Sequence, residues 1–378
     1  MVGYGAVREK GAHVSALIQN RRWRQRTWDY SREATYLITL SCVERGRDVL
    51  GALVVEEANL IQPKVSIRRT PLGECVAQLW EEIRLHVPNV KSLGYCVMPD
   101  HFHGVLWVQR PLKKPLGEVV RGFKIACTQA YRTLINEPTA PGVWAPGFDD
   151  KILSHREAVA RACHYVEDNP RRLAIKRLAR DYFTQLQEVR IPLRLSAEGG
   201  PAFDAHFSGL GNRFLLERPF FYQVQVSRRD FRYQPHMDKD APREVAFSSE
   251  VFEAKRHAML EAAQRGAVIV SPFLSQGEQA LCRLAVEQGF PVIQLRNQGL
   301  PPLFKPQGRF FDLCAQGNYL LLAPRKWKAT AGKKVLTRED ALVLNRIAQC
   351  LCGADAQPIH YHGAQPQMID ARLKEALS

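Results

Sequence analysis

Two hydrophobic patterns follow one another along the chain, and the first extends to about residue 180. Residues 35–42 are rich in β-branched and aromatic side chains, which predicts a strand. The predicted elements in order are this strand, a helix from Thr70-Pro71, two strands within 94–108, a helix at about 116–135, and a helix that begins at Ser154 with a capping box and ends near Asn169-Pro170. This order predicts an α+β layer, in which helices pack on one antiparallel sheet.

The second pattern begins at residue 222 and has short, unbroken apolar runs between helices. Residues 222–227 (YQVQVS) are predicted as a strand, the apolar runs are 267–271, 291–295 and 319–323, and helices are predicted at 251–264, 277–288 and 310–315. Such alternation predicts an α/β domain with a parallel sheet that is covered on both faces. We therefore predict a first domain at 1–185, a linker at 186–221 that includes the Gly-rich run 196–201, a second domain at 222–353, and a tail at 354–378 with a last helix from Ile369.

Composition narrows the expected partners of this chain. Its 378 residues favour two domains, and its formal net charge of +15 favours an anionic partner. Nucleic acid is the leading candidate, and an acidic membrane surface is the alternative. No apolar run approaches the roughly 20 residues that span a bilayer, and the N-terminus lacks an apolar signal core, so we expect a cytoplasmic, nucleoid-associated protein without a membrane partner. The 9 cysteines include no CxxC pair, which favours reduced, apolar cysteines.

Four residues form a candidate chemical site. His101 and His103 alternate along a predicted strand and project from one face, where two imidazoles can bind one divalent metal. Tyr165 and Asn169 are four residues apart and share one face of a predicted helix. Each feature has a plain alternative: surface histidines on a half-buried strand, a tyrosine at the edge of the core, and an asparagine that ends a helix before Pro170. We therefore interpret the four residues together, as a possible metal site beside a tyrosine, because each feature alone has a structural explanation.

Residues 95–103 (YCVMPDHFH) resemble the YxVMPNHxH signature of the REP-associated tyrosine transposases, which belong to the single-tyrosine HUH transposases. Three further segments agree in order: 28–30 (WDY) with 35–39 (TYLIT), 144–150 (WAPGFDD), and 164–170 (HYVEDNP). The resemblance covers about residues 21–178. One departure is Asp100, where asparagine is common, and it adds a carboxylate beside the predicted metal.

This resemblance implies a ferredoxin-like HUH fold and a set of residue roles. His101, His103 and Asn169 would bind Mg²⁺ or Mn²⁺, and Tyr165 would be the nucleophile. A phenol titrates at about pH 10, so it needs a metal ion that binds and orients the scissile phosphate. The implied reaction cleaves single-stranded DNA beside hairpins through a 5′-phosphotyrosine, which conserves the bond energy for rejoining. The protein would act as a monomer or a homodimer.

Basic residues supply predicted contacts to the DNA backbone. Arg121, Lys124 and Arg132 follow one face of the helix at 116–135, although a solvated helix face is nearly as good an interpretation. Arg171 and Arg172 follow the predicted nucleophile helix and receive the same role.

The second domain is similar, in a diffuse way, to Rossmann-like proteins of the DprA-like and lysine-decarboxylase-like superfamily. Residues 266–272 (GAVIVSP), Gly277-Glu278 and residues 291–295 (PVIQL) carry this resemblance. Ser271, Gly277 and Glu278 are the predicted cofactor-binding residues, since a loop that opens a helix can meet the phosphate of a nucleotide. An N-cap with a tight turn explains them equally well.

Three functions fit these observations. A metal-dependent DNA strand transferase of the transposase type is the leading hypothesis. A domesticated regulator or defence sensor that keeps the fold but only binds DNA is the alternative, and the additional domain favours it. A replication or relaxase nickase shares the chemistry, but the order of the motifs favours the transposase.

Overall fold

The computed structural model describes residues 25, 27–195, 201–235, 244–302, 304–329, 336–353, 356–359, 361 and 363–378. The chain divides into two compact units, residues 1–177 and 178–378, which we call unit 1 and unit 2. Most of the Gly-rich run at 196–201, predicted as part of the linker, lies outside the described residues, as does the start of the segment that carries the family resemblance.

Unit 1 is built on a four-stranded antiparallel sheet. Its elements are β1 (Ala34–Ser41), β2 (Gly51–Glu57), β3 (Lys64–Arg69), α1 (Pro71–His86), β4 (Val90–Val97), β5 (His101–Val108), α2 (Leu116–Leu134), β6 (Asp149–Leu153) and α3 (Arg156–Leu178). The strand order in the sheet is β4-β5-β1-β6, and β2 with β3 forms a separate hairpin. The predicted α+β arrangement, with helices packed on an antiparallel sheet, is therefore confirmed for unit 1.

The two faces of the unit 1 sheet carry different helices. Inward side chains of β1 and β5, among them Ile38 and Phe102, pack with Trp80 of α1 and Phe123 of α2 in one core. On the opposite face, Val105 packs with helix α3 in a second, smaller core. Helix α3 therefore lies across the sheet from α1 and α2.

Helix α3 departs from the sequence-based prediction at both ends. Its first turn is capped by His155, whose Nδ1 accepts a hydrogen bond from the Ala158 N–H at 3.2 Å, rather than by Ser154. The predicted end at Asn169-Pro170 is wrong, because the helix continues through Pro170 to Leu178. Proline removes one backbone N–H, but burial of Ala174 and Ile175 stabilises the two turns that follow.

Unit 2 contains a six-stranded mixed sheet. Its elements are β7 (Gln185–Arg194), β8 (Ala202–Gly211), β9 (Phe221–Gln223), β10 (Phe231–Pro235), β11 (Glu244–Ser248), α4 (Glu250–Gln264), β12 (Val268–Ser271), α5 (Gln276–Glu287), β13 (Val292–Leu295), α6 (Arg309–Ala315), β14 (Tyr319–Pro324), α7 (Arg338–Cys352) and α8 (Pro366–Leu377). The sheet order is β7-β8-β14-β13-β12-β9, and the last four strands pair in parallel as predicted.

Two segments of unit 2 correct the predicted domain boundaries. Residues 186–221 are not simply a linker, because β7 and β8 extend the sheet, with β8 antiparallel to β14. Residues 354–378 are not simply a tail, because α8 buries Ile369 and Leu373 in the same core as the sheet. Within the described part of the chain, no helix is long and apolar enough to cross a membrane.

Glycine 104 provides a test of the packing behind strand β5. A Cβ atom at Gly104 would lie 2.1 Å from Cζ2 of Trp80, whereas a Cβ at Gly94 meets nothing within 4 Å. We expect Gly104→Ala to lower the free energy of unfolding of unit 1 by about 1–3 kcal/mol through overpacking. Gly94→Ala is the control, and urea denaturation followed by tryptophan fluorescence measures both. Equal stability of the two variants would contradict this packing.

Helix α8 can be tested in the same way. Ile369 is fully buried and Met368 beside it is 42% exposed. Ile369→Ala should destabilise unit 2 by about 2–5 kcal/mol, and Met368→Ala by less than about 0.5 kcal/mol. Hydrogen exchange of the β14 amides in the full chain reports the difference. Unchanged exchange in Ile369→Ala would restore the prediction of a loose tail.

Candidate metal and nucleophile site

Strand β5 presents His101 and His103 on the face of the sheet that helix α3 covers. The two residues alternate along the strand, so both imidazoles project from this face, and their ring centroids are 4.8 Å apart. His103 is buried, with 6% of its surface exposed, and His101 is partly exposed. The pair thus lies at the margin of the core, with one ring that solvent can reach.

Each imidazole is held through its Nδ1 atom. The Nδ1 of His101 lies 2.6 Å from Oδ1 of Asp100, and the Nδ1 of His103 lies 2.9 Å from Oγ1 of Thr39, its cross-strand neighbour on β1. An ionised carboxylate only accepts hydrogen bonds, so the Nδ1 of His101 carries the proton and its Nε2 has the lone pair. Metal-binding histidines are typically held in this way, by an outer partner on the second ring nitrogen.

The electrostatic surroundings keep both imidazoles neutral. Burial lowers the pKa of His101 although the Asp100 carboxylate opposes the shift. Burial, together with the charges of His101, Lys176 and Arg45, lowers the pKa of His103 to about 3. Neutral imidazole is the form that binds metals, so both histidines are in the form that could bind a metal at physiological pH.

Helix α3 places Tyr165 beside the histidines. The tyrosine ring meets the His103 ring edge-on, with centroids 5.5 Å apart and an interplanar angle of 69°. The Arg172 guanidinium lies 5.8 Å from the Tyr165 ring centroid and brings a positive charge to this ring. Tyr165 is 38% exposed, so a substrate in solvent can reach a side chain that touches a buried imidazole.

Asn169 lies one helical turn after Tyr165 and is buried. Its Nδ2 donates a hydrogen bond to the Tyr165 carbonyl oxygen at 2.7 Å, which leaves Oδ1 as the atom that could bind a metal. Among the described residues, no group of three or more His, Cys, Asp and Glu side chains is placed to hold a metal. A metal at His101 and His103 would therefore need Asn169 or substrate oxygens to complete its ligands, and the role of Asn169 stays a prediction.

The predicted basic stripe on α2 does not join this site. Lys124 and Arg132 lie on α2, which packs on the other face of the sheet. The Lys124 ammonium donates to the carbonyl oxygens of Ala145 and Gly147, at 2.7 and 2.8 Å, and burial lowers its pKa. Arg132 donates to the Ala140 carbonyl at 2.9 Å. These two residues anchor the loop before β6, a role that helical spacing alone could not reveal.

An open groove of about 480 Å³ lies along the outer side of α2. Arg121 lines it, is exposed, and pairs loosely with Glu118 at 3.7 Å. DNA binding by this face stays a prediction, and the sheet separates it from Tyr165.

Arg171 and Arg172 lie on helix α3, within two turns of Tyr165. Arg171 forms an ion pair with Asp168 at 2.5 Å and donates to the Ile61 carbonyl at 3.0 Å. Arg172 lies 4.0 Å from Asp168 and faces the Tyr165 ring. The structure thus brings Arg172, more than Arg171, to the chemical site.

In unit 2 the predicted cofactor-binding residues have structural partners. The Glu278 carboxylate accepts hydrogen bonds from the backbone N–H groups of Val226, Leu274 and Ser275, and burial raises its pKa. Ser271 Oγ accepts from the Phe273 N–H, and a Cβ at Gly277 would lie 2.5 Å from Val226. Glu278 therefore uses backbone donors that a phosphate would need, which favours the capping interpretation; nucleotide binding stays a prediction.

Three residues near the histidines were missed from the sequence. Thr39 could have been found, since strand alternation places it opposite His103. Arg45 and Lys176 are cations whose charges act on both imidazoles. No sequence motif marks these two residues. Arg45 lies in the loop after β1, and Lys176 lies in the part of α3 that extends beyond its predicted end.

Comparisons with known proteins give limited similarity. No family model matches the chain. An uncharacterized protein of Haemophilus influenzae is 23% identical over 177 residues, which cover 41% of this chain and 91% of that protein. A solved structure of a REP-associated tyrosine transposase bound to a REP hairpin is 15% identical, with a TM-score of 0.30, over 42% of this chain and 78% of that one. A TM-score of this size is too low to support an argument from structure, so function must be inferred from the site itself.

Thr39 offers a direct test of how the site is organised. Thr39→Val keeps the shape of the side chain but removes the hydrogen-bond partner of His103, so we expect about 10-fold weaker Mn²⁺ binding in isothermal titration calorimetry. Thr133→Val is the control, because the Thr133 hydroxyl bonds only within α2, to the Gln129 carbonyl. Equal Mn²⁺ affinity of both variants would mean that the metal does not bind His103.

Proposed function

We propose that this protein is a metal-dependent single-stranded DNA strand transferase that cleaves and rejoins DNA through Tyr165. Unit 1 would be a ferredoxin-like HUH domain. Along the chain, the four strands of the sheet and the helices between them follow the order β1-α1-β4-β5-α2-β6, and α3 covers the far face of the sheet. This β-α-β-β-α-β order supports the assignment. Hairpin-flanked sites are the substrate that the sequence resemblance implies.

One observation carries the proposal: an accessible tyrosine contacts the buried member, His103, of a pair of neutral histidines that are both held through Nδ1. A structural tyrosine usually buries its ring and bonds its hydroxyl, and structural histidines rarely need two outer partners of this kind. The arrangement instead suits a nucleophile beside a metal. His101 and His103, with Oδ1 of Asn169, are the residues that would hold a divalent ion.

The reaction can be written for the residues of the chain. The Tyr165 oxygen attacks the scissile phosphorus and forms a phosphotyrosine, while the bond from phosphorus to the 3′ oxygen breaks. The tyrosine proton passes to solvent and the departing 3′ oxygen takes up a proton, so a 3′-hydroxyl is released. Bound Mg²⁺ or Mn²⁺ would supply charge stabilisation at the phosphate. Attack by a 3′-hydroxyl on the phosphotyrosine reverses the step and rejoins the DNA.

Electrostatics around the nucleophile suit a phosphodiester. Arg172 faces the tyrosine ring, and Arg45 and Lys176 act on the histidines, so several cations surround the point where the phosphate would lie. Cations and a metal near a phosphoryl group stabilise the charge that develops in the transition state.

The test uses single-stranded hairpin DNA from the flanks of the gene, with Mg²⁺ or Mn²⁺. Wild-type protein should form a covalent DNA adduct that survives denaturing gel electrophoresis, and a chelator should prevent its formation. Tyr165→Phe should bind the same DNA with unchanged affinity and form no adduct, since it lacks the attacking oxygen. Tyr131→Phe, on α2 across the sheet, is the matched control and should react like wild type.

Other outcomes have clear meanings. Adduct formation by Tyr165→Phe would assign the nucleophile to another residue. Tight DNA binding without any adduct, across metals and flanking sequences, would favour the regulator or defence sensor and would refute the strand transferase.

A further inference from the structure

The loop after β1, residues 43–48, is attached to the candidate metal site by one carboxylate. Asp100 places Oδ1 2.6 Å from the Nδ1 of His101, and its Oδ2 accepts a hydrogen bond from the Gly46 N–H at 2.8 Å. Gly46 has a φ of +77°, so the chain turns there in a conformation that glycine adopts without strain. The same side chain therefore orients a histidine and fixes a loop.

A carboxylate can make both of these bonds while the Nε2 of His101 keeps its lone pair. With the proton of His101 on Nδ1, both partners of Asp100 donate, and an ionised carboxylate offers an acceptor oxygen to each. An asparagine amide has one acceptor oxygen, so it could keep both bonds only if its NH₂ group donated to an unprotonated Nδ1, and the imidazole proton would then lie on Nε2, where a metal would bind. The departure of Asp100 from the resembling motif thus lets one side chain hold the loop and leave the Nε2 of His101 free for a metal.

The loop carries Arg45, directly before Gly46. Arg45 is exposed, and the hydrogen bond from the N–H of the next residue, Gly46, to Asp100 Oδ2 brings this part of the loop beside the site. The positive charge of Arg45 also contributes to lowering the pKa values of Asp100, His101 and His103. Its neighbour Arg47 forms an ion pair with Glu44 at 3.1 Å. Among the described residues, no acidic side chain pairs with Arg45, so its guanidinium can bind a ligand.

We propose that Asp100 is a positioning residue that docks this loop on His101, and that the docked loop brings Arg45 against the scissile phosphate of the DNA. The second part rests on the proposed function. Arginine suits this task because its planar guanidinium can donate two hydrogen bonds to phosphate oxygens. Arg45 would contact the reacting group, whereas Asp100 acts through His101 and the loop.

The experiment compares Arg45→Ala, Arg47→Ala and Asp100→Asn in the full chain. We expect Arg45→Ala to slow single-turnover cleavage of the hairpin DNA by about 10²-fold, the loss typical of one donor to a developing charge. It should not weaken Mn²⁺ binding, because it removes a positive charge near the metal. Arg47→Ala should cleave as wild type does.

Asp100→Asn should change different quantities. Hydrogen exchange of a peptide that covers residues 43–48 should become at least about 10-fold faster, and Mn²⁺ affinity should fall about 10-fold as His101 loses its orientation. Its effect on cleavage should not add fully to that of Arg45→Ala, because both changes act through the same loop. If Asp100 only stabilised the fold, the effects of Asp100→Asn and Arg45→Ala on the cleavage rate would be additive.

Each part can fail by itself. If the wild type forms the Tyr165 adduct but Arg45→Ala cleaves as fast as Arg47→Ala, the role of Arg45 is wrong and the proposed function stands. If loop exchange is unchanged in Asp100→Asn, the docking role is wrong, whatever the cleavage result. If the wild type forms no adduct, the proposed function fails and the role of Arg45 fails with it, while the exchange measurement still decides the docking.

Discussion

The close packing of helix α3 on strand β5 is the contact on which the candidate site depends. Ala162 and Val166 of α3 pack on Val105, in a small core that is separate from the larger one across the sheet. A small side chain at Ala162 lets the helix axis approach the sheet, and Val166 stands next to Tyr165 in sequence. Because His101 and His103 lie on the same face of β5 as Val105, the packing that buries Val105 also brings Tyr165 to His103. A larger residue at Ala162 would separate Tyr165 from the histidines.

This packing also determines the charge state of the site. By covering β5, helix α3 removes water from His103, and the charged imidazole becomes costly. Thr39 and Asp100 then hold the two rings through Nδ1, so these ring nitrogens have hydrogen-bond partners and each Nε2 is the nitrogen that could bind a metal. Arg45, Lys176 and Arg172 bring positive charge around the donors. Under the proposed function, these cations would favour a DNA phosphodiester, and its negative charge would offset their repulsion of a metal ion.

The sequence predicted which residues lie together at the candidate site better than it predicted the residues around them. The histidine pair and Tyr165 come together as predicted, because strand alternation and helical spacing are local properties. The basic stripe of α2 lies on the face of the sheet opposite Tyr165, which the sequence could not show, since helical spacing shows which residues share a face but not which side of a sheet the helix covers. Strand β7 was missed because half of its residues are exposed and most of these are polar, so its apolar signal is weak. Arg45 and Lys176 depend on tertiary contacts and carry no local signal.

The most direct test of a metal between the two histidines is anomalous diffraction from crystals of Tyr165→Phe grown with Mn²⁺ and an uncleaved DNA strand. The account predicts one Mn²⁺ peak bonded to Nε2 of His101 and of His103, next to a DNA phosphate and residue 165. A metal bound instead through Asp100, or a DNA strand that lies only on the α2 face, would contradict it.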